Sequence, residues 1–217
     1  MVAKKETTTS DGKTVKSGET TTNVHPVAEP AALGLLGLAI AALVLASADL
    51  KLDAGLEKSL MIPWVVMFGA TAQLIAGGME FKRLNVFGGT VFSVYSMTMF
   101  SIAITLFITN SSVVNQGDIT HYAFGLIGIL LFSIIATVAS LMTNKTFFAI
   151  LIAVDLAVGL LIPHYLYELS SVPAGVFLLF TSILSFYGAG AILLNTMAKR
   201  TILPLGRPFW NPHREDN

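Results

Sequence analysis

The chain contains six uninterrupted apolar stretches, each long enough to cross a bilayer. No other feature limits its fold as much. A helix rises about 1.5 Å per residue, so about 20 apolar residues span a hydrocarbon core about 30 Å thick. The stretches run Ala31–Leu50, Leu60–Met79, Val86–Thr109, His121–Met142, Thr146–Tyr167 and Ala174–Met197. None alternates apolar and polar residues with the period of two expected of a barrel strand. The expected class is an all-α membrane protein with six transmembrane helices. Composition agrees. Hydrophobic residues make up 54% of the chain and charged residues 12%, about half the charge of a typical soluble domain.

Basic residues orient the spans. Of 13 Lys and Arg, 11 fall in the two tails and in the second and fourth loops; only Lys51 and Lys58 fall on the other side. Lys and Arg concentrate on the cytoplasmic side of a membrane, so both termini are expected in the cytoplasm. Trp64, Tyr122, Tyr165 and Tyr167 lie near the outer ends of their helices, as interfacial anchors do. The organisation expected is a disordered cytoplasmic tail over 1–29, a six-helix transport domain over 30–200 and a cytoplasmic C-terminal tail over 201–217. The first tail is rich in Thr, Ser, Lys, Glu and Gly and has hardly any large apolar residues, which suits a solvated segment.

Several function classes drop out. With no cysteine there are no disulfides, thiolate metal sites or cysteine nucleophiles. A net charge of zero carries no bulk attraction to nucleic acid. No HExxH, GxSxG or GxxxxGK[ST] pattern is present. His121 and His164 stand singly near outer helix ends and read as interfacial. No enzyme, metal or organic cofactor is expected.

Polar residues inside the spans carry more information, because a charge at a helix centre costs roughly 2.5–3.5 kcal/mol on insertion scales. Asp155, in the middle of LIAVDLAVGLLIP, is the clearest case. One reading makes it a proton carrier during transport; the other makes it a hydrogen-bonded brace between two helices. Gln73, Gly77 and Glu80 fall at i, i+4 and i+7, on one helix face. That face either packs against a neighbour or lines a pathway. Glu80 and Asp49 are expected near water at helix ends, and Asn195 near the inner end of the sixth helix. The glycine pairs Gly34 and Gly37, Gly88 and Gly89, Gly125 and Gly128, and Gly188 and Gly190 predict closely packed helices, within one chain or between subunits. These features point to a compact polytopic protein whose work lies in or across the membrane.

Three stretches add a resemblance. AEPAALGLLGL, Ala28–Leu38, is similar to a pattern Asn-Pro-Ala-Pro-Leu-Gly-Leu, matched at Pro30, Ala31, Leu33, Gly34 and Leu35. AQLIAGGMEFKRLNVFGGTVFSVY, Ala72–Tyr95, matches at Gln73, Gly77, Glu80, Phe81, Lys82, Arg83, Asn85, Phe87, Gly88 and Tyr95. TILPLG, Thr201–Gly206, follows the sixth helix. Together they resemble the acetate uptake transporter family, also called the succinate–acetate permeases, over about residues 28–206. Three positions depart from it: Glu29 stands for Asn, Ala32 for the second Pro, and Leu38 for a Phe.

The resemblance implies a plasma-membrane carrier of acetate, and of other short monocarboxylates or succinate, working with protons and assembled as a homohexamer. It implies a hydrophobic constriction at Leu38, Tyr95 and either Ile150 or Leu151. Gln73 and Tyr95, with the helix-one amides near Gly34 and Leu35, are the substrate-binding candidates. Glu29 is awkward there, since its charge repels an anion. Asp155 is the proton-handling candidate by its place within a span alone, since the resemblance puts no Asp there. If Ile150 lines the pathway, Asp155 points about 140° away, toward a neighbouring helix; if Leu151 does, Asp155 lies about 40° off and shares the pathway. Two alternatives to coupled transport stand beside it: a channel-like uncoupled pathway, and a membrane sensor or scaffold without transport.

Overall fold

The computed structural model describes residues 27–52, 58–110 and 119–211. The expected tail over 1–29 lies outside the described residues, apart from its last three. Six helices long and apolar enough to span a membrane are found among the described residues. They are α1 (Ala31–Asp49), α2 (Lys58–Lys82), α3 (Val86–Asn110), α4 (Thr120–Ser140), α5 (Lys145–Tyr167) and α6 (Val172–Ala198). Each follows its predicted stretch to within a few residues. The start of α1 and the end of α6 lie at one end of the bundle, called here the terminal end; the opposite end is the far end.

Neighbour relations give the spatial order α4, α5, α6, α1, α2, α3, with α2 and α3 the most extensive pair and α1 and α6 the next. The ring is nearly open between α3 and α4, which meet only sparsely. A groove of about 420 Å³, lined by Ser93, Met97, Ser101 and Gly125 among others, opens there. Small residues allow the closest approaches. At Gly37 an added Cβ would collide with the Phe68 carbonyl oxygen, and at Gly34 it would come 2.6 Å from the Phe92 ring. Gly125, Gly128 and Gly190 have nothing within 4 Å on their Cβ side. The glycine pairs therefore divide, some packing helices inside the chain and others turned outward.

α2 is not a uniform helix. It opens with a 3₁₀ turn over Lys58–Met61, passes through a π-helix over Val65–Ala72, and becomes α-helical from Gln73 to Lys82. The Thr71 hydroxyl donates to the Val66 carbonyl five residues back at 2.8 Å, in step with the wider π turn. A tight turn joins α2 to α3, with Leu84 in the left-handed region at φ 61°. At the α5 start, Asn144 caps the helix by accepting from the Phe147 amide at 2.9 Å.

The segment after α6 is a strap rather than a loose tail. The Leu205 carbonyl accepts from the Thr146 amide and hydroxyl at 3.0 and 2.9 Å. The Asn195 carboxamide donates to the Leu203 carbonyl and accepts from the Ile202 and Leu203 amides. The Tyr187 hydroxyl donates to the Pro204 carbonyl at 2.7 Å. The Phe209 and Trp210 amides both donate to the Leu141 carbonyl at 3.0 Å. Residues 201–211 thus tie together the terminal ends of α4, α5 and α6.

Candidate functional site

Two vestibules enter the bundle from opposite ends and share no lining residue. The far vestibule is a cavity of about 140 Å³ that reaches inward from Asp49, Lys58, Tyr122 and Tyr165 to Leu38 and Tyr95. The terminal vestibule, about 370 Å³, is bounded by Glu29, Glu80 and Asn85, by Asn144 and Asn195, and by Leu205 of the strap, and reaches inward to Phe92. Between them lies a packed apolar layer containing Leu35, Leu38, Phe92, Tyr95, Ile150 and Leu151, all buried. A small solute crossing the bundle has to open this layer. Hydrocarbon side chains in such a layer obstruct ions, because entry strips their water.

The residues proposed for the constriction are all buried. Leu38 and Tyr95 floor the far vestibule. Ile150 and Leu151 are 1% and 2% exposed and both belong to the sealing layer, lining neither vestibule. Ile150 packs near Gly188 of α6, in the same contact as Leu35.

Asp155 turns toward α4. One carboxylate oxygen accepts a very short hydrogen bond from Ser133, and the other accepts from Thr137 at 2.7 Å. Because Ser133 donates its one hydroxyl proton to Asp155, it accepts from the Tyr95 hydroxyl, 2.7 Å away. A hydrogen-bonded chain therefore runs Tyr95, Ser133, Asp155, and joins α3, α4 and α5 where the ring is thinnest. The Tyr95 ring meets Phe132 edge-on, with centroids 5.9 Å apart.

Gln73 is wholly buried, and neither polar atom of its carboxamide has a hydrogen-bond partner. Its Cγ lies against Gly37 on α1. That contact falls between Gly34, which abuts Phe92, and Leu38, so Gln73 sits at the depth of the seal. Ser185 on α6 is a second buried hydroxyl without a partner. It stands between Ser182, bonded to the Ala39 carbonyl, and Gly188, which abuts Leu35.

Several expectations need correction. The Gly34 amide donates to the Pro30 carbonyl at 3.2 Å, so the helix is already hydrogen-bonded there and Gly34 is no free anion donor. Ahead of it, the Ala31 amide donates to the Glu29 carboxylate at 3.4 Å. Glu80 is not at a wet helix end; it is 1% exposed and accepts from the Asn85 side chain at 2.9 Å. Glu29 does not stand as a bare charge. It pairs with Arg83 at 2.6 Å, and Arg83 lies 3.8 Å from Glu80. The hydrogen bond to Glu29 pushes the Arg83 pKa up, so the guanidinium stays charged at any working pH. Tyr122 and Tyr165 line the far vestibule and stack edge-on at 4.8 Å, rather than anchoring in the interface. Trp64 and Tyr167 are exposed, as anchors are.

Known proteins resemble the chain in sequence and in fold. The profile of the GPR1/FUN34/yaaH family matches residues 11–206. Accumulation of dyads protein 2 of Saccharomyces cerevisiae is 28% identical over 211 residues, covering 94% of this chain and 74% of its own. Acetate permease A of Emericella nidulans is 27% identical over 202 residues, covering 85% and 68%. Ammonia transport outward protein 2 of Saccharomyces cerevisiae is 29% identical over 144 residues, 64% of this chain and only 51% of that one. Among solved structures, the bacterial acetate channel SatP superposes with a TM-score of 0.77 at 22% identity, over 83% of this chain and all of that one. That likeness establishes the fold. The activities named among these relatives are transport and conduction, not catalysis. The six spans, the two opposed vestibules and the match over nearly the whole chain make this multi-pass membrane protein, which is not an enzyme, a member of the GPR1/FUN34/yaaH family.

Proposed function

We propose that the chain carries acetate and other short monocarboxylates, with succinate as a further candidate, across the plasma membrane together with protons. The observation that carries the reading is the pair of opposed vestibules closed by one apolar layer at Leu38, Tyr95 and Ile150–Leu151. A bare carboxylate enters such a layer at high cost, and the protonated acid enters far more cheaply. Acetate as the solute is supported by the names of two relatives, acetate permease A and the acetate channel SatP. The Tyr95–Ser133–Asp155 chain supports a proton route, because it joins a hydroxyl at the constriction to a carboxylate away from it.

The second reading is an uncoupled, channel-like pathway, favoured by the likeness in fold to SatP, itself an acetate channel. The apolar seal suits both, since dewetted constrictions gate channels as well as carriers. Labelled-acetate uptake into proteoliposomes, measured against protein-free vesicles, separates the readings. Leak-corrected accumulation driven by an inward proton gradient and abolished by an uncoupler supports coupling. Faster equilibration without accumulation supports the channel. No flux above leak leaves the sensor or scaffold reading. Tyr95→Ala is expected to change acetate flux at least severalfold; unchanged flux removes the pathway from this constriction.

Assembly as a homohexamer and cytoplasmic termini belong to the same proposal. The outward-facing Gly125, Gly128 and Gly190 give smooth surfaces for contacts between copies. The bias of basic residues toward the tails supports the orientation. Because the chain has no cysteine, a single cysteine introduced after Arg200 can be labelled from one side of the membrane at a time.

A further inference from the structure

Gln73 presents a primary amide, with two N–H donors and one carbonyl acceptor, at the depth of the seal and with no protein partner for any of them. A buried amide without partners weakens a fold, because its desolvation is not offset. A residue that braced helices would show a partner, as Asp155 does. A second feature singles out the same point. The π-helix over Val65–Ala72 ends at the residue before Gln73, and π segments within longer helices are concentrated at functional sites. The Ala70 carbonyl accepts from the Ser96 hydroxyl of α3 at 2.7 Å as well as from the Gln73 amide, which fixes α2 against α3 one turn before Gln73.

We propose that Gln73 recognises the neutral, protonated form of a small carboxylic acid. The amide and the acid are complementary: Nε2–H donates to the acid carbonyl while Oε1 accepts from the acid O–H, closing a ring of two hydrogen bonds. The carboxylate anion offers no proton to Oε1 and brings its own lone pairs against it. Small primary amides carry the same donor–acceptor edge, so they belong to the same ligand class. Acids that keep a charge are disfavoured by the apolar surroundings, since Leu35, Leu38 and Phe92 occupy this layer, so a diacid such as succinate would have to enter with both carboxyls protonated. The inference deepens the transport reading and rests on it for the identity of the natural ligand.

Acetamide is the probe, because it presents the ring-forming edge and does not ionise. N,N-dimethylacetamide, which keeps the carbonyl and has no N–H, is the control. Acetamide is expected to slow leak-corrected entry of labelled acetate into proteoliposomes of the full chain, and to raise its Tm in detergent. The control compound should need roughly tenfold more for the same effect, having lost one of two hydrogen bonds to a buried partner. Gln73→Leu, of similar size, is expected to fold with a Tm at or above that of the unsubstituted protein and to lose the acetamide-induced shift. A shift that survives in Gln73→Leu overturns the proposal. So does a Tm lowered by several degrees in that variant, which would make Gln73 a structural residue. Acetate flux that acetamide leaves untouched overturns it as well. Absence of acetate flux alongside a Gln73-dependent acetamide shift would overturn the transport reading and leave the site standing.

Discussion

Asp155 and Gln73 are both polar side chains set deep in this bundle, and they are treated in opposite ways. Asp155 bears an ionisable carboxyl group, and both its oxygens accept hydrogen bonds from α4. Gln73 is neutral and has no partner. The group with the larger desolvation cost has been fully compensated, and the one with the smaller cost has been left open. In a low-dielectric interior, compensation is what separates a brace from a receptor. A satisfied group holds its neighbours in place. An unsatisfied one retains binding energy that only a visitor can use.

Removing the brace should have the largest effect. Asp155→Leu strands the Ser133 and Thr137 hydroxyls in the membrane. It is expected to cost about 2 kcal/mol, read as a lowered Tm in detergent. A variant as stable as the parent would mean that Asp155 braces nothing. Ser133→Ala cuts only the middle of the chain and should cost about 1 kcal/mol. It also disconnects Tyr95 from the carboxylate, so proton-driven acetate accumulation should fall while passive equilibration persists. Equal loss of both would place Ser133 in the fold rather than in a proton route. Glu29→Gln, at the mouth of the terminal vestibule, removes a half-exposed ion pair worth about 0.5 kcal/mol, and its effect should shrink in high salt. A larger, salt-independent loss would show that the Glu29–Arg83–Glu80 cluster behaves as a buried network. Against all three, Gln73→Leu should leave stability unchanged or raise it.

What could be read from the chain alone follows from the range of each interaction. The spans were legible because each one is a local run of apolar residues, with ends set by Asp49, Lys82, Asn110 and Lys145. The constriction candidates were proposed through motifs, and Leu38, Tyr95, Ile150 and Leu151 all belong to the buried apolar core. The register question about Asp155 needed the partner helix, since Ser133 and Thr137 lie about 20 residues away and look like ordinary span hydroxyls. The pairing of Glu29 with Arg83 joins positions 54 apart, and nothing local announces it. The π-helix left no mark either, because VVMFGATA suits an α-helix equally well. Proximity to a helix end misled the reading of Glu80, since the Asn85 side chain folds back over it.

The strap has a consequence for the order of assembly. Leu205 lines the terminal vestibule and holds α5 through Thr146, yet it follows all six spans in the chain. Synthesis therefore delivers every membrane-crossing element before the wall of that vestibule can close. A nascent chain stopped at Arg200 would have its complete set of spans but an unfinished mouth, with the ends of α4, α5 and α6 untied. Insertion and completion are thus separate events in the life of this protein, and the second depends on a short segment that lies beyond the last span.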